Sequence, residues 1–194
     1  MSQTYYELYS KSNIKSLNRS FNNACKNNDL DKVKYLLNSS DLILRPEIHN
    51  DNYAGLESAS WNGNIEVVKY LLINYDSSEK KLSNLALRKA ASNNQYGMMS
   101  FLLNSEEIPV KANLQEQINT IFLECLYQRK MDMMKHLIFN LNIKNTPLIE
   151  KALTSVTNPI TPEVKSWFKN QELQNSLTNE LEIKENNSKK RTKI

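Results

Sequence analysis

Glycine and proline are scarce in this chain, three and five residues among 194. So few turn-formers exclude a many-stranded sheet protein and suit helices joined by short loops. Cysteine is scarcer still. Cys25 and Cys125 stand far apart, with no second Cys or His at ligand spacing, so reduced thiols are expected, with no disulfide and no zinc. Long apolar runs are missing too. No stretch approaches the ~20 apolar residues that span a bilayer, and the opening MSQTYYELYSKSNIKSL lacks the apolar core of a secretory signal. The expectation is a soluble chain that starts in a cytosol.

An excess of one charge is absent from most of the chain. The formal charge of +4 owes much to Lys184, Lys189, Lys190, Arg191 and Lys193 at the C-terminus. A nucleic-acid binder carries a basic stripe along a folded face, because phosphate neutralisation supplies most of its affinity. None precedes the tail, so nucleic acid is not the expected partner. What is present is apolar material for one core, 40% hydrophobic residues beside 24% charged. A length of ~100 to 200 residues is that of a single domain. Asn is in excess, as an A/T-rich coding sequence gives, and at that density chance explains the sequons at Asn18, Asn38 and Asn186.

Self-similarity organises the chain. Residues 24–38 (ACKNNDLDKVKYLLN), 59–73 (ASWNGNIEVVKYLLI), 90–104 (AASNNQYGMMSFLLN) and 125–139 (CLYQRKMDMMKHLIF) align in one register. Each opens on a small residue, Ala24, Ala59, Ala90 or Cys125, at spacings of 35, 31 and 35. Three residues earlier stands Phe21, Leu56, Leu87 or Phe122. Six residues later comes Leu30, Ile65, Tyr96 or Met131, then Val33, Val68, Met99 or Met134, then Leu36, Leu71, Leu102 or Leu137. Steps of three put these on one face of a second helix. Between the helices sits Asn28, Gly63, Asn94 or Arg129. Asn and Gly tolerate the left-handed conformation that ends a helix, so the first three are C-caps, whereas Arg129 predicts a strained or altered turn. Each unit reads as a short helix, a tight turn and a longer helix, which buries its apolar face only against neighbours.

Gly63-Asn64-Ile65-Glu66-Val67-Val68-Lys69-Tyr70-Leu71-Leu72, with its relative Asn28 to Leu37, resembles the ankyrin-repeat family. The family's T-P-L-H opening is poorly kept, its place in the second unit taken by Ala54-Gly55-Leu56-Glu57. Thr146-Pro147-Leu148 restores part of it and marks a fifth, degenerate unit whose second helix carries Val164, Trp167 and Phe168. Tyr5, Tyr6, Leu8 and Tyr9 are read as a short helix covering the first repeat. From Gln171 onward the pattern fades into a polar tail, although Leu173, Leu177 and Leu181, spaced by four, could extend a helix for two turns. The expected architecture is all-α: an ankyrin-type helix-turn-helix solenoid of about four repeats plus a degenerate C-terminal cap. It divides into a capping segment over 1–17, a repeat domain over 18–170 and a disordered basic tail over 171–194.

The resemblance implies that a partner, normally another protein, docks in a concave groove of loop tips and first helices. By register the groove positions are Lys26 and Asn27, Trp61 and Asn62, Ser92 and Asn93, Tyr127 and Gln128. Trp61 and Tyr127 stand out, since Trp and Tyr are enriched at interface hot spots, though each ring can instead pack on the adjoining repeat. Asn50, Asp51, Asn52 and Tyr53 occupy the family's exposed finger, where plain turn chemistry explains Asn and Asp equally well. Met98, Met99, Met133 and Met134 are expected to fill core rather than form an adaptable binding surface. His136 shares its register with Tyr35, Tyr70 and Phe101 and reads as a packed ring, and His49 stands alone in a loop. Cys25 and Cys125 are expected to be inert core thiols.

Lys190-Arg191-Thr192-Lys193 resembles a monopartite nuclear-import signal, with a solvated tail as the plainer reading. Glu180, Glu182 and Glu185 before it are similar to the C-terminal signals of effectors that intracellular bacteria inject into host cells. The expected function is a non-enzymatic protein-protein interaction module, with effector of an intracellular bacterium as one setting. The alternative is a nuclear or nucleic-acid-associated factor acting through the tail. No acid, base and nucleophile are arranged for catalysis, so no enzyme, cofactor, metal, small-molecule substrate or membrane insertion is expected. The expected location is cytoplasmic, or the host cytosol or nucleus for a secreted effector.

Overall fold

The four positions picked out as helix-ending turns share one backbone conformation. Asn28, Gly63, Asn94 and Arg129 have φ of 59°, 74°, 56° and 54° in the computed structural model, which describes residues 13–48, 53–74, 80–155 and 160–191. One hydrogen bond recurs with it. The N–H of the next residue, Asp29, Asn64, Gln95 or Lys130, donates to the carbonyl of Ala24, Ala59, Ala90 or Cys125 at 2.8–3.0 Å. This closure over a left-handed residue satisfies carbonyls that a helix end otherwise leaves orphaned. Arg129 adopts the same turn as the others, against the expectation of an altered one. As an L-residue with a Cβ it bears the steric cost of that conformation, about 1–2 kcal/mol.

These turns delimit the helices: α1 Ile14–Lys26, α2 Leu30–Asn38, α3 Ala54–Trp61, α4 Ile65–Asn74, α5 Lys80–Ser92, α6 Tyr96–Asn104, α7 Leu114–Tyr127, α8 Met131–Lys135, α9 Pro147–Ser155 and α10 Thr161–Arg191. No strand occurs among the described residues. Each first helix ends two residues after its small residue, and each second helix begins on Leu30, Ile65, Tyr96 or Met131. The order of lengths differs from the expectation. The first helices run 13, 8, 13 and 14 residues, so in three of four units the first helix is the longer. Extra turns grow at their N-terminal ends, and α1 starts at Ile14, inside the segment assigned to a separate cap. Asn13 caps it by accepting the Ser16 N–H at 2.9 Å. Residues 5–9 lie outside the described residues.

The chain divides into two compact units, Met1–Gln117 and Ile118–Ile194, with the division inside α7. In the first, α1, α3 and α5 pack side by side in chain order, and α2, α4 and α6 pack on their own first helices. Phe21, Ala24, Leu56, Ala59, Leu87 and Ala90 are all buried, as are Val33, Leu36, Val68, Leu71, Met99 and Leu102. The residues opening the second helices are less buried, and Tyr96 is exposed. Large side chains fill this core, each contributing about 1.5–3 kcal/mol on removal from water, and small ones let helices approach. At Gly55 the approach leaves no room for a side chain, since a Cβ there would sit 2.5 Å from the Phe21 ring and 3.2 Å from Cys25 Sγ.

A polar device accompanies the apolar one. Six residues before the small residue stands Asn18, Asn84 or Asn119 in three units. The Oδ1 of Asn18 accepts the Glu47 N–H at 2.8 Å, and that of Asn84 accepts the Asn113 N–H at 2.7 Å. In the second unit, the Thr146 hydroxyl donates to Asn119 Oδ1 at 2.6 Å. Each carboxamide thus fixes the chain on its way to the following unit. Asn113 and Thr146 in turn cap the helices they precede.

In the second unit α8 runs into a π-helical turn, His136–Asn140. The Ile138 carbonyl is met by Gln171 Nε2, which also donates to Asn142 Oδ1 at 3.0 Å. Val164, Trp167 and Phe168 are buried on α10, as the register of the fifth unit requires, and the Phe168 and Phe122 rings lie 5.6 Å apart. Residues 172–191, expected to belong to a disordered tail, are helical. They continue α10 to Arg191, with every described side chain after Gln171 exposed. The packed first turns supply the costly nucleus, and each further residue then adds one hydrogen bond for one residue fixed.

Candidate functional site

The positions assigned to a groove by register are the last residue of each first helix and the one after it, and at α1 and α3 the backbone there is held from the next repeat. Asn64 Nδ2 donates to the carbonyls of Cys25 and Lys26 at 2.8 and 2.9 Å. Asn93 Nδ2 and Gln95 Nε2 donate to the Trp61 carbonyl at 2.7 and 3.1 Å. These bonds meet orphan carbonyls of α1 and α3 and fix the residues around them. Gly63 leaves room for Gln95 in the same place, since a Cβ would lie 2.5 Å from its Oε1 and that amide would have to shift.

In the first unit this brings Lys26, Asn27, Trp61, Asn62 and Asn93 to the ends of neighbouring packed helices. Lys26, Asn27 and Asn62 are exposed and Trp61 keeps 40% of its surface in water. Asn62 Nδ2 binds back to the Ser58 carbonyl at 2.7 Å. Asn93 is half-buried, its amide committed to Trp61. Ser92, placed among the exposed positions by register, is instead 7% exposed. Behind the ladder, Lys89 pairs with Glu57 at 3.2 Å across α5 and α3.

Tyr127 and Gln128 belong to the second unit and occupy the same register at the end of α7. Both are exposed, Tyr127 by 70%. Of the finger positions, Tyr53 is half-buried with φ of 67° at the start of α3, while Asp51 and Asn52 lie outside the described residues, as do Asn50 and His49. Arg191 ends α10, the side chains of Lys190 and Arg191 fall outside the description, and Lys193 lies beyond it.

The methionine and cysteine candidates are core. Met98, Met99, Met133 and Met134 are buried to 1% or less. Cys25 and Cys125 are buried free thiols whose pKa is pushed up to about 12 by desolvation. Such a thiol stays protonated and is a poor nucleophile. His136 is half-buried, and burial holds its imidazole below the ordinary range. Among the described residues no group of three His, Cys, Asp or Glu side chains stands together as a metal site, and no helix is long and apolar enough to cross a membrane.

The Asn18, Asn84 and Asn119 series went unread in the sequence, although Asn six residues before the small residue in three units was a visible signal. Its role lay in main-chain partners far along the chain. No protein-family model, no curated protein and no solved structure matches this chain.

Proposed function

We propose that this chain is an ankyrin-type repeat protein that works without catalysis, by binding another protein along the ends of its first helices. The observation that carries the reading is Trp61: a large aromatic side chain left 40% exposed on a backbone that Asn93 and Gln95 pin at its carbonyl. With its main chain already fixed, this residue adds no backbone ordering cost on meeting a partner and offers a large aromatic area to bury, as interface hot spots do. The ankyrin assignment is supported by the four equivalent left-handed turns and the hydrogen bond shared among them.

Each unit is tested separately. Trp61→Ala and Tyr127→Ala are compared with the unaltered chain in affinity capture read by mass spectrometry, followed by titration of the captured protein. Loss of a hot-spot aromatic costs about 2 kcal/mol, so binding should weaken roughly thirtyfold while helical content is unchanged. If both variants retain the same proteins at the same affinity, the assignment of these helix ends as the binding surface is wrong.

A further inference from the structure

In the second unit, the loop after the π turn and the face of α10 enclose an open recess of about 400 Å³. Its lining has no apolar side chain. Lys144 and Asn145 come from the loop, and Glu172, Asn175, Ser176 and Asn179 from the helix, with Gln171 beside them. Gln171 forms a fixed edge, since it is buried and its amide binds both the Ile138 carbonyl and Asn142 Oδ1. Asn175 Nδ2 also reaches Asn142 Oδ1, at 3.3 Å, and Ser176 donates to the Glu172 carbonyl at 2.8 Å. Asn145 Nδ2 donates to Glu150 at 2.6 Å, which fixes its amide orientation and leaves its Oδ1 buried with no hydrogen-bond partner.

The composition of this lining selects a ligand class. Its carbon surface comes only from the stems of polar side chains, so a ligand is oriented there by its own polar groups. One Lys and one Glu oppose each other in sign, so no net charge is favoured. Carboxamides each carry donors and an acceptor, and the neutral group with the same pairing is the peptide unit. Spacing agrees with chemistry. Gln171, Asn175 and Asn179 recur every four residues, about 6 Å along a helix axis, close to the roughly 6.6 Å between alternate residues of an extended chain.

We propose that this recess holds an extended segment of a partner polypeptide by its main chain, with Asn175 and Asn179 pairing with alternate peptide groups. Asn145 gives up its bond to Glu150 as the segment enters, and its acceptor, unmet until then, turns to take a peptide N–H. Recognition is by backbone and independent of the partner's side chains. This site is separate from the Trp61 positions and stands or falls without them.

The test uses the full chain labelled with 15N and an uncharged probe, acetyl-Ser-Thr-Ser-Thr-Ser-amide, in the millimolar range. Saturable shifts are expected at the side-chain amides of Asn145, Asn175 and Asn179. An analogue with ester oxygens in place of two alternate peptide N–H groups should bind about tenfold more weakly, as should the double variant Asn175→Ala, Asn179→Ala, whose exposed positions leave the fold intact. The proposal is overturned by three results: no saturable shift, equal binding of peptide and ester analogue, or the same shifts with free glycine, which would make the site one for a small zwitterion. A Trp61→Ala chain should respond to the probe as the unaltered chain does, so failure of either reading is told apart from failure of the other.

Discussion

Replacing Arg129 by glycine should make this protein more stable. Arg129 holds φ at 54° and its side chain is exposed. Glycine removes the clash between Cβ and the following carbonyl, a relief of about 1–2 kcal/mol. Against it stands the greater freedom of glycine in the unfolded chain, about 0.4–1 kcal/mol. The net gain is about 0.5–1 kcal/mol, and with a urea slope of roughly 2 kcal/mol/M the unfolding midpoint should rise by about 0.3–0.5 M at unchanged slope. The control is Glu172→Gly on the exposed face of α10, where glycine only adds freedom and should cost about 0.5–1 kcal/mol. Urea denaturation followed by circular dichroism reads both. Opposite signs for the two glycines are the signature of the left-handed turn. A lowered midpoint for Arg129→Gly would refute the conformational argument and give the Arg129 side chain a stabilising contact.

Three further outcomes follow from buried polar groups. Asn84→Ala deprives the Asn113 N–H of its acceptor and Glu116 of a donor, and should cost about 1–3 kcal/mol in the same urea assay, with no loss meaning that water replaces the carboxamide. Because burial depresses the His136 pKa, the unfolded chain takes up the proton first. Stability should be full above pH of about 6.5 and fall as pH drops through that value toward the lowered folded pKa. His136→Phe should remove this part of the pH dependence, and an unchanged profile would assign it elsewhere. Cys25 and Cys125, buried with pKa near 12, should resist a thiol-specific reagent at pH 8 in the native chain and react fully in denaturant, whereas fast native labelling would contradict their burial.

The parts of the fold that were legible in sequence are those set by local periodicity. Steps of three and six from Ala24, Ala59, Ala90 and Cys125 located the helix starts, the buried face and the left-handed turns. Local pattern misjudged what depends on neighbours. Register alone put Ser92 at the surface, whereas it is buried, and the helix over residues 172–191 follows from the nucleus that Val164, Trp167 and Phe168 provide. Arg129 was misread for a related reason, since a hydrogen bond from Lys130 to Cys125 outweighs an unfavourable residue type. Of the candidate site, register placed Trp61 and Tyr127 at exposed helix ends. It gave no sign of the side-chain bonds that hold the Trp61 carbonyl, whose donors come from Asn93 and Gln95 on the following unit.

The sameness of the four left-handed turns bears on how such a chain grows. Asn, Gly, Asn and Arg share little as residues, yet the main chain leaves each first helix along the same path. In the first unit, a segment copied from one such turn to the next, such as the 31 residues from Gly63 to Asn93, begins and ends on equivalent backbone. In-frame duplication or loss at these points therefore leaves the flanking helices with the neighbours they already fit. Changes in repeat number come at little structural cost, and the surface at the helix ends lengthens or shortens one rung at a time.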